Sequence, residues 1–173
     1  MRSPHIEKID LFAESSLRFE FLVGESHRTK YKKILVARFW GEYRVGSAGN
    51  PDAAFIRAFA QAAISYCEPD GMLLDISEVR YEWGDMLDSV FSLGRRYYLH
   101  EAPGDFSPIE KPLFKEEELP QATLIGPPCI QAIRTLLLGK HCLPDASLDE
   151  FPWLFEDFEK AWYYLEDQIA LGR

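Results

Sequence analysis

Five carboxylates crowd one stretch of the chain: Asp75, Glu78, Glu82, Asp85 and Asp88. Paired carboxylates can share acid and base work when one stays neutral and the other ionised. These five run from a predicted strand through a loop into a predicted helix, so no single face gathers them. Loop acids and caps are the simpler account. Cys129 follows Pro127-Pro128 at a predicted helix start, where the helix dipole lowers a thiol pKa. A packed, inert thiol is the simpler account, because free cysteine is among the most buried residue types, and no histidine lies near it in sequence to complete a nucleophile pair. His141-Cys142 is an adjacent pair of soft ligands, while His5, His27 and His100 are scattered. That spacing fits no structural zinc site. Gly46, Gly49 and Asn50-Pro51 precede a helix and suit an anion, without a GxGxxG run or a P-loop lysine. Arg95-Arg96-Tyr97-Tyr98 mixes bases with aromatics, as RNA-binding surfaces do, and reads more simply as a helix end carrying cations. The expectation is a chain with no catalytic, cofactor or metal residues, and not an enzyme.

Contact is the chemistry that remains. Trp40, Trp83 and Trp153 stand at element ends, and Trp83, in a polar loop, is the expected exposed anchor for a partner. The partner-binding residues expected from sequence are Glu82, Trp83, Gly84, Asp85 and Asp88, with Glu156, Asp157 and Glu159 in a second acidic segment. Charge separates along the chain. Residues 28–44 hold six bases and one acid, and residues 145–172 hold eight acids and one base. Two solvated faces that pair loosely with each other account for this. The sharper reading sets the acidic end against a basic protein. The net charge of −9 disfavours nucleic acid as a partner.

These residues need a scaffold, and the hydropathy pattern supplies one. Leu17, Phe19, Phe21 and Val23 alternate with Arg18, Glu20 and Leu22 and predict a strand with one strongly apolar face. Ile34 to Trp40 predicts a second strand, and the two read as a β-hairpin or as close neighbours in one sheet. Asn50-Pro51-Asp52 reads as cap, first helical residue and first-turn acid. Phe55, Phe59, Ala62, Ala63 and Tyr66 then share a helical face, and Glu68 to Gly71 ends the helix. Met72, Leu73, Leu74 and Ile76 predict a buried strand, followed by a helix from about Gly84 to Tyr98. Residues 100–120 carry five prolines or glycines and an acidic run, and predict a long irregular insertion. Ala122 to Gly126 predicts a strand, Cys129 to Leu138 a helix, and Phe151 to Leu154 a short edge strand. Phe155, Phe158, Trp162, Leu165 and Ile169 mark a last helix.

The fold class is therefore α/β: one domain over residues 1–173, with a single mixed sheet of about four or five strands and about four helices in the order β-β-α-β-α-β-α-α. The later strands should be parallel. No run approaches the ~20 apolar residues of a membrane helix, and no signal-peptide pattern opens the chain. Three cysteines form no disulfide framework, which points to a reducing cytoplasm.

The chain resembles the STAS domain family, which includes the bacterial anti-anti-sigma factors. Leu74-Asp75-Ile76-Ser77-Glu78-Val79 is similar to that family's L-D-L-S-x-V strand. Ile34 to Tyr43 resembles its second strand, and Phe151 to Leu165, with Ala161, its closing segment. The resemblance implies a non-enzymatic, protein-binding regulator. The family's phosphoacceptor stands in D-S-[ST]-G. The matching residues here are Tyr81-Glu82-Trp83-Gly84-Asp85, where no hydroxyl precedes Gly84, so no phosphorylation switch is implied. A different class also fits a small acidic chain without catalytic motifs: an immunity protein that occludes a bacterial toxin's basic active site. An enzyme with an unrecognised site is the third reading.

Overall fold

The computed structural model describes residues 10–13, 15–99 and 114–172. Seven strands are described: β1 (Arg18–Glu25), β2 (Lys33–Glu42), β3 (Gly71–Arg80), β4 (Arg95–Leu99), β5 (Phe114–Glu118), β6 (Gln121–Leu124) and β7 (Leu154–Phe155). Three α-helices accompany them: α1 (Asn50–Cys67), α2 (Ile130–Leu138) and α3 (Phe158–Ala170). Two 3-10 helices, Gly46–Gly49 and Asp85–Ser92, complete the set. The chain is α/β, with one mixed five-stranded sheet in the order β1-β2-β3-β6-β7. β1 is antiparallel to β2, the hairpin of the two arrangements the sequence left open, and β2, β3, β6 and β7 are parallel.

The apolar runs occupy the strands that are covered on both faces. On one face Leu35, Ala37, Phe39, Met72, Leu74 and Ile76 pack under α1, the second 3-10 helix and α2, through Ile56, Ala60, Leu87, Val90 and Ile133. On the other, Ile34, Val36, Leu73, Ala122 and Leu124 pack under Ala161, Leu165 and Ile169 of α3. Phe19 of β1 stacks on Phe59 of α1 at 4.6 Å and meets Phe55 at 5.7 Å, so aromatic contacts fasten the hairpin to that helix. Phe12 joins the cluster 5.3 Å from Phe59.

The structure departs from the sequence-based expectation in several places. The helix expected over Gly84 to Tyr98 is a 3-10 helix that ends at Ser92, followed by β4. The Gly94 amide donates to Gln121 Oε1 at 3.1 Å, and its carbonyl accepts from the Leu119 amide at 2.6 Å. These tertiary bonds use the groups that a continuing helix would pair within itself. β4 then pairs with β5 as a separate two-stranded ribbon, in a register that sets Arg95 opposite Glu118 and Arg96 opposite Glu117. The insertion expected at 100–120 is therefore regular over Phe114–Glu118, while residues 100–113 lie outside the described residues. Asn50 does not cap α1 with its side chain, because the preceding 3-10 turn runs into the helix and the Asn50 amide bonds Ser47 O. The edge strand falls at Leu154–Phe155, one step beyond the expected Phe151 to Leu154, and α3 starts at Phe158 with Phe155 left in the strand. Val23, expected on the apolar face, is half exposed.

Glu166 is the largest departure. It belongs to the acidic run expected to be solvated, yet it is fully buried. Its carboxylate accepts from Ser26 Oγ at 3.0 Å and from the His27 amide, and Arg28 Nε stands 3.8 Å away. Arg28 also pairs with Asp167. The basic and acidic segments thus meet here, and α3 holds the β1–β2 turn. Burial alone would raise the Glu166 pKa. The donors from His27, Ser26, Arg28 and Trp162 outweigh that and hold it below the usual carboxylate value. A depressed folded value means that this stabilisation is present above the unfolded glutamate value of about 4.3 and fades as pH falls through the folded one. Glu166→Gln is expected to lower the unfolding free energy at pH 7 by about 2 kcal/mol. The deficit against wild type should shrink as the pH drops below about 4.3, which urea titrations at pH 7 and at lower pH measure.

Candidate functional site

In open α/β sheets the crevice lies beyond the carboxyl ends of the parallel strands. The ends of β2 and β3 build such a place. Past Glu42, the Tyr43 amide still donates to Arg80 O at 3.0 Å, so the two strands leave the sheet together. Tyr43 and Tyr81 follow, both buried, with rings 5.3 Å apart and nearly perpendicular. Tyr81 Oη donates to Gly84 O at 2.8 Å, and the Gly46 amide donates to Trp83 O at 3.0 Å. The backbone of the Glu82–Gly84 loop is therefore pinned from two sides.

Trp83 is held by this frame and is not buried by it. It is 56% exposed, and its ring lies across Gly46. A Cβ at Gly46 would stand 2.9 Å from two Trp83 ring carbons, and Gly46 has φ +63°, a left-handed conformation suited to glycine. Gly49 is bare for a related reason: a Cβ there would sit 2.2 Å from Arg44 O and 2.3 Å from the Tyr43 ring. The two glycines expected to cradle an anion are thus used by the packing of Trp83 and Tyr43.

Under this loop, Asp52 of α1 is fully buried. Its Oδ2 accepts from the Arg44 amide and from Arg44 Nε, each at 2.9 Å. Its Oδ1 accepts from Arg44 Nη2 at 2.9 Å and from Ser15 Oγ at 2.7 Å. The acid read in sequence only as a first-turn residue is one half of a buried ion pair that ties β2, α1 and Ser15 together. Tyr43 Oη is buried with no hydrogen-bond partner among the described residues. Burial first, then the neighbouring Tyr81, Asp52 and Asp88, push its pKa well above the tyrosine value, so the phenol keeps its proton.

Of the five carboxylates, Asp75 stands apart from the described others by its burial. Asp75 lies on the α3 side of the sheet, buried, with Arg38 Nε 2.8 Å from Oδ2 and the Ser77 hydroxyl 2.6 Å from Oδ1. Arg38 Nη1 reaches on to Glu20 at 2.8 Å. Glu78, Glu82 and Asp88 are exposed, and the side chain of Asp85 lies outside those described. Gly84 is buried against Gly46. Among the described residues, no group of three or more His, Cys, Asp or Glu could hold a metal ion. His141 is exposed, and Cys142 Sγ lies 3.9 Å from Thr135 Oγ1. Arg95 to Tyr98, read as a helix end, form β4.

The second acidic segment follows β7, at the same end of the parallel strands. Glu156, Asp157 and Glu159 are exposed. Glu156 stands 3.9 Å from Arg134 Nη2. Asp157 is already used as the α3 cap, accepting from the Lys160 amide at 2.9 Å. Phe91 and Trp153, with rings 5.0 Å apart, join the 3-10 helix beyond Trp83 to the chain entering β7. Tyr43, Arg44 and Asp52 are the site residues that sequence reasoning missed. The only signal was an acid in the first turn of a helix close behind an arginine.

No protein-family model, curated protein or solved structure matches the chain. No helix among the described residues is long and apolar enough to cross a membrane.

Cys129 decides between the two readings of its thiol in favour of the packed one. It is 1% exposed and sits just before α2, with Sγ 3.5 Å from Ile76 O. Burial pushes its pKa up to about 11, against a small lowering from the Gly126 backbone. At pH 8 it should resist iodoacetamide in the native protein, while the half-buried Cys67 and Cys142 label first, as peptide mass mapping reads. Gly46→Ala should cost about 1–2 kcal/mol from the left-handed backbone alone. It should also shift the tryptophan emission by displacing Trp83, which thermal unfolding and fluorescence together register.

Proposed function

We propose that the chain is a non-enzymatic, protein-binding regulatory module on a STAS-like scaffold, working in a reducing cytoplasm. Its partner meets the carboxyl ends of β2 and β3 through Glu82, Trp83, Gly84, Asp85 and Asp88. The observation that carries this reading is Trp83. A large aromatic side chain stands more than half exposed on a backbone fixed by Gly46 and Tyr81. A rigid, exposed aromatic binds with little ordering cost. That Leu74 through Val79 lie within the central parallel strand β3 supports the scaffold, and three free cysteines support the compartment.

A second reading, a small acidic inhibitor of a bacterial toxin, draws on Glu156, exposed just before α3, and Glu159, exposed in its first turn. It would use that segment in place of the Trp83 loop.

Affinity capture with the intact chain, from its native cytosol at physiological salt, separates the two. Trp83→Ala is expected to lose the captured protein by about 30-fold in affinity. The pair Glu156→Lys and Glu159→Lys should retain it. Loss with the second pair alone favours the inhibitor. Equal loss from both, or from neither, overturns the localisation, and no protein retained by wild type overturns the module reading itself.

A further inference from the structure

Trp83 is not the only apolar side chain left uncovered at this end. Val45, beside Gly46, is 45% exposed, and Met86, just past Gly84, is 40% exposed. The Trp83 ring lies across Gly46, and the Leu87 amide donates to Gly84 O at 3.4 Å. These links bring the β2–α1 loop, the β3 loop and the start of the 3-10 helix to one surface. Charge rings it. Glu42, Glu78, Glu82 and Asp88 are exposed carboxylates. The bases on these segments are Arg44, whose guanidinium is bonded to Asp52, and Arg80, which the register sets opposite Glu42.

Resting on the partner-binding reading above, we infer that this surface docks a basic protein segment, which lays an apolar side chain on Val45, Trp83 and Met86 and sets lysines or arginines against Glu82 and Asp88. Charge selects the occupant. A second copy would bring like carboxylates together in a chain of net charge −9, and nucleic acid or an anionic lipid surface meets the same repulsion. Met86 is unbranched and adapts to differing side chains, while Trp83 is held in place.

Random twelve-residue peptides displayed on phage and selected on the intact protein provide the probe. The selected peptides are expected to combine Lys or Arg with Leu, Phe or Trp. Synthetic copies should weaken at least tenfold against Trp83→Ala, against Met86→Ser, and against the pair Glu82→Lys and Asp88→Lys. Their affinity should also fall between 50 and 300 mM salt, as charge pairing requires. Circular dichroism confirms that each variant keeps the fold. Acidic or uncharged peptides, undiminished binding to the variants, or no selected peptide overturns the inference. If affinity capture still retains a protein through Trp83, the partner-binding reading stands and only the basic character of the partner falls.

Discussion

Asp52 has no exposed surface and is held by two bonds to each carboxylate oxygen. A carboxylate in that position must be paired, because a buried charge without a partner costs several kcal/mol. Meeting that demand brings together the end of β2, the first turn of α1 and Ser15 of the amino-terminal arm. With those three fixed, the four residues between Val45 and Asn50 have little freedom, and they form a tight 3-10 turn. Gly46 in that turn is the floor on which Trp83 lies. The exposed aromatic is thus a distant consequence of a buried ion pair.

The same logic repeats on the rest of the sheet. Helix α3 covers Ile34, Val36, Leu73, Ala122 and Leu124. On the same face, the next positions along β2 and β3 are Arg38 and Asp75, opposite each other in register. A carboxylate 2% exposed is stable there because Arg38 and Ser77 satisfy it. At the opposite end Glu166 does for the hairpin turn what Asp52 does for the loop above α1. Three buried carboxylates therefore fix three junctions, each with donors supplied by another element.

The strands were legible because burial on both faces leaves near-continuous apolar runs at Ile34 to Ala37 and Met72 to Leu74. α1 and α3 were legible by periodicity. The segment after Trp83 was not, because over eight residues a period of 3.0 and one of 3.6 place the same apolar positions inward. β4 and β5 depend on each other across the segment that separates them, and the acidic run in β5 has low strand propensity of its own. Glu166 was hidden because an acid among acids carries no mark of burial. At the site, Trp83 stood out by its polar neighbours. Tyr43, Arg44 and Asp52 did not, because their significance lies in distances that sequence spacing does not carry.

The buried carboxylates at the carboxyl ends are committed to neighbouring donors, which supports the contact reading proposed above. Asp75 is committed to Arg38 and Ser77, and Asp52 to Arg44 and Ser15. Tyr43 keeps its proton under the influence of burial and neighbouring acids, and burial holds Cys129 as a thiol. A group bound in this way offers neither a free base nor a nucleophile at neutral pH. Trp83 has the opposite status: its backbone is bonded, while its ring has one face on Gly46 and more than half its surface exposed. The frame spends its polar groups on rigidity and leaves one aromatic surface open, an arrangement suited to recognition, where a preformed anchor lowers the entropy lost on binding.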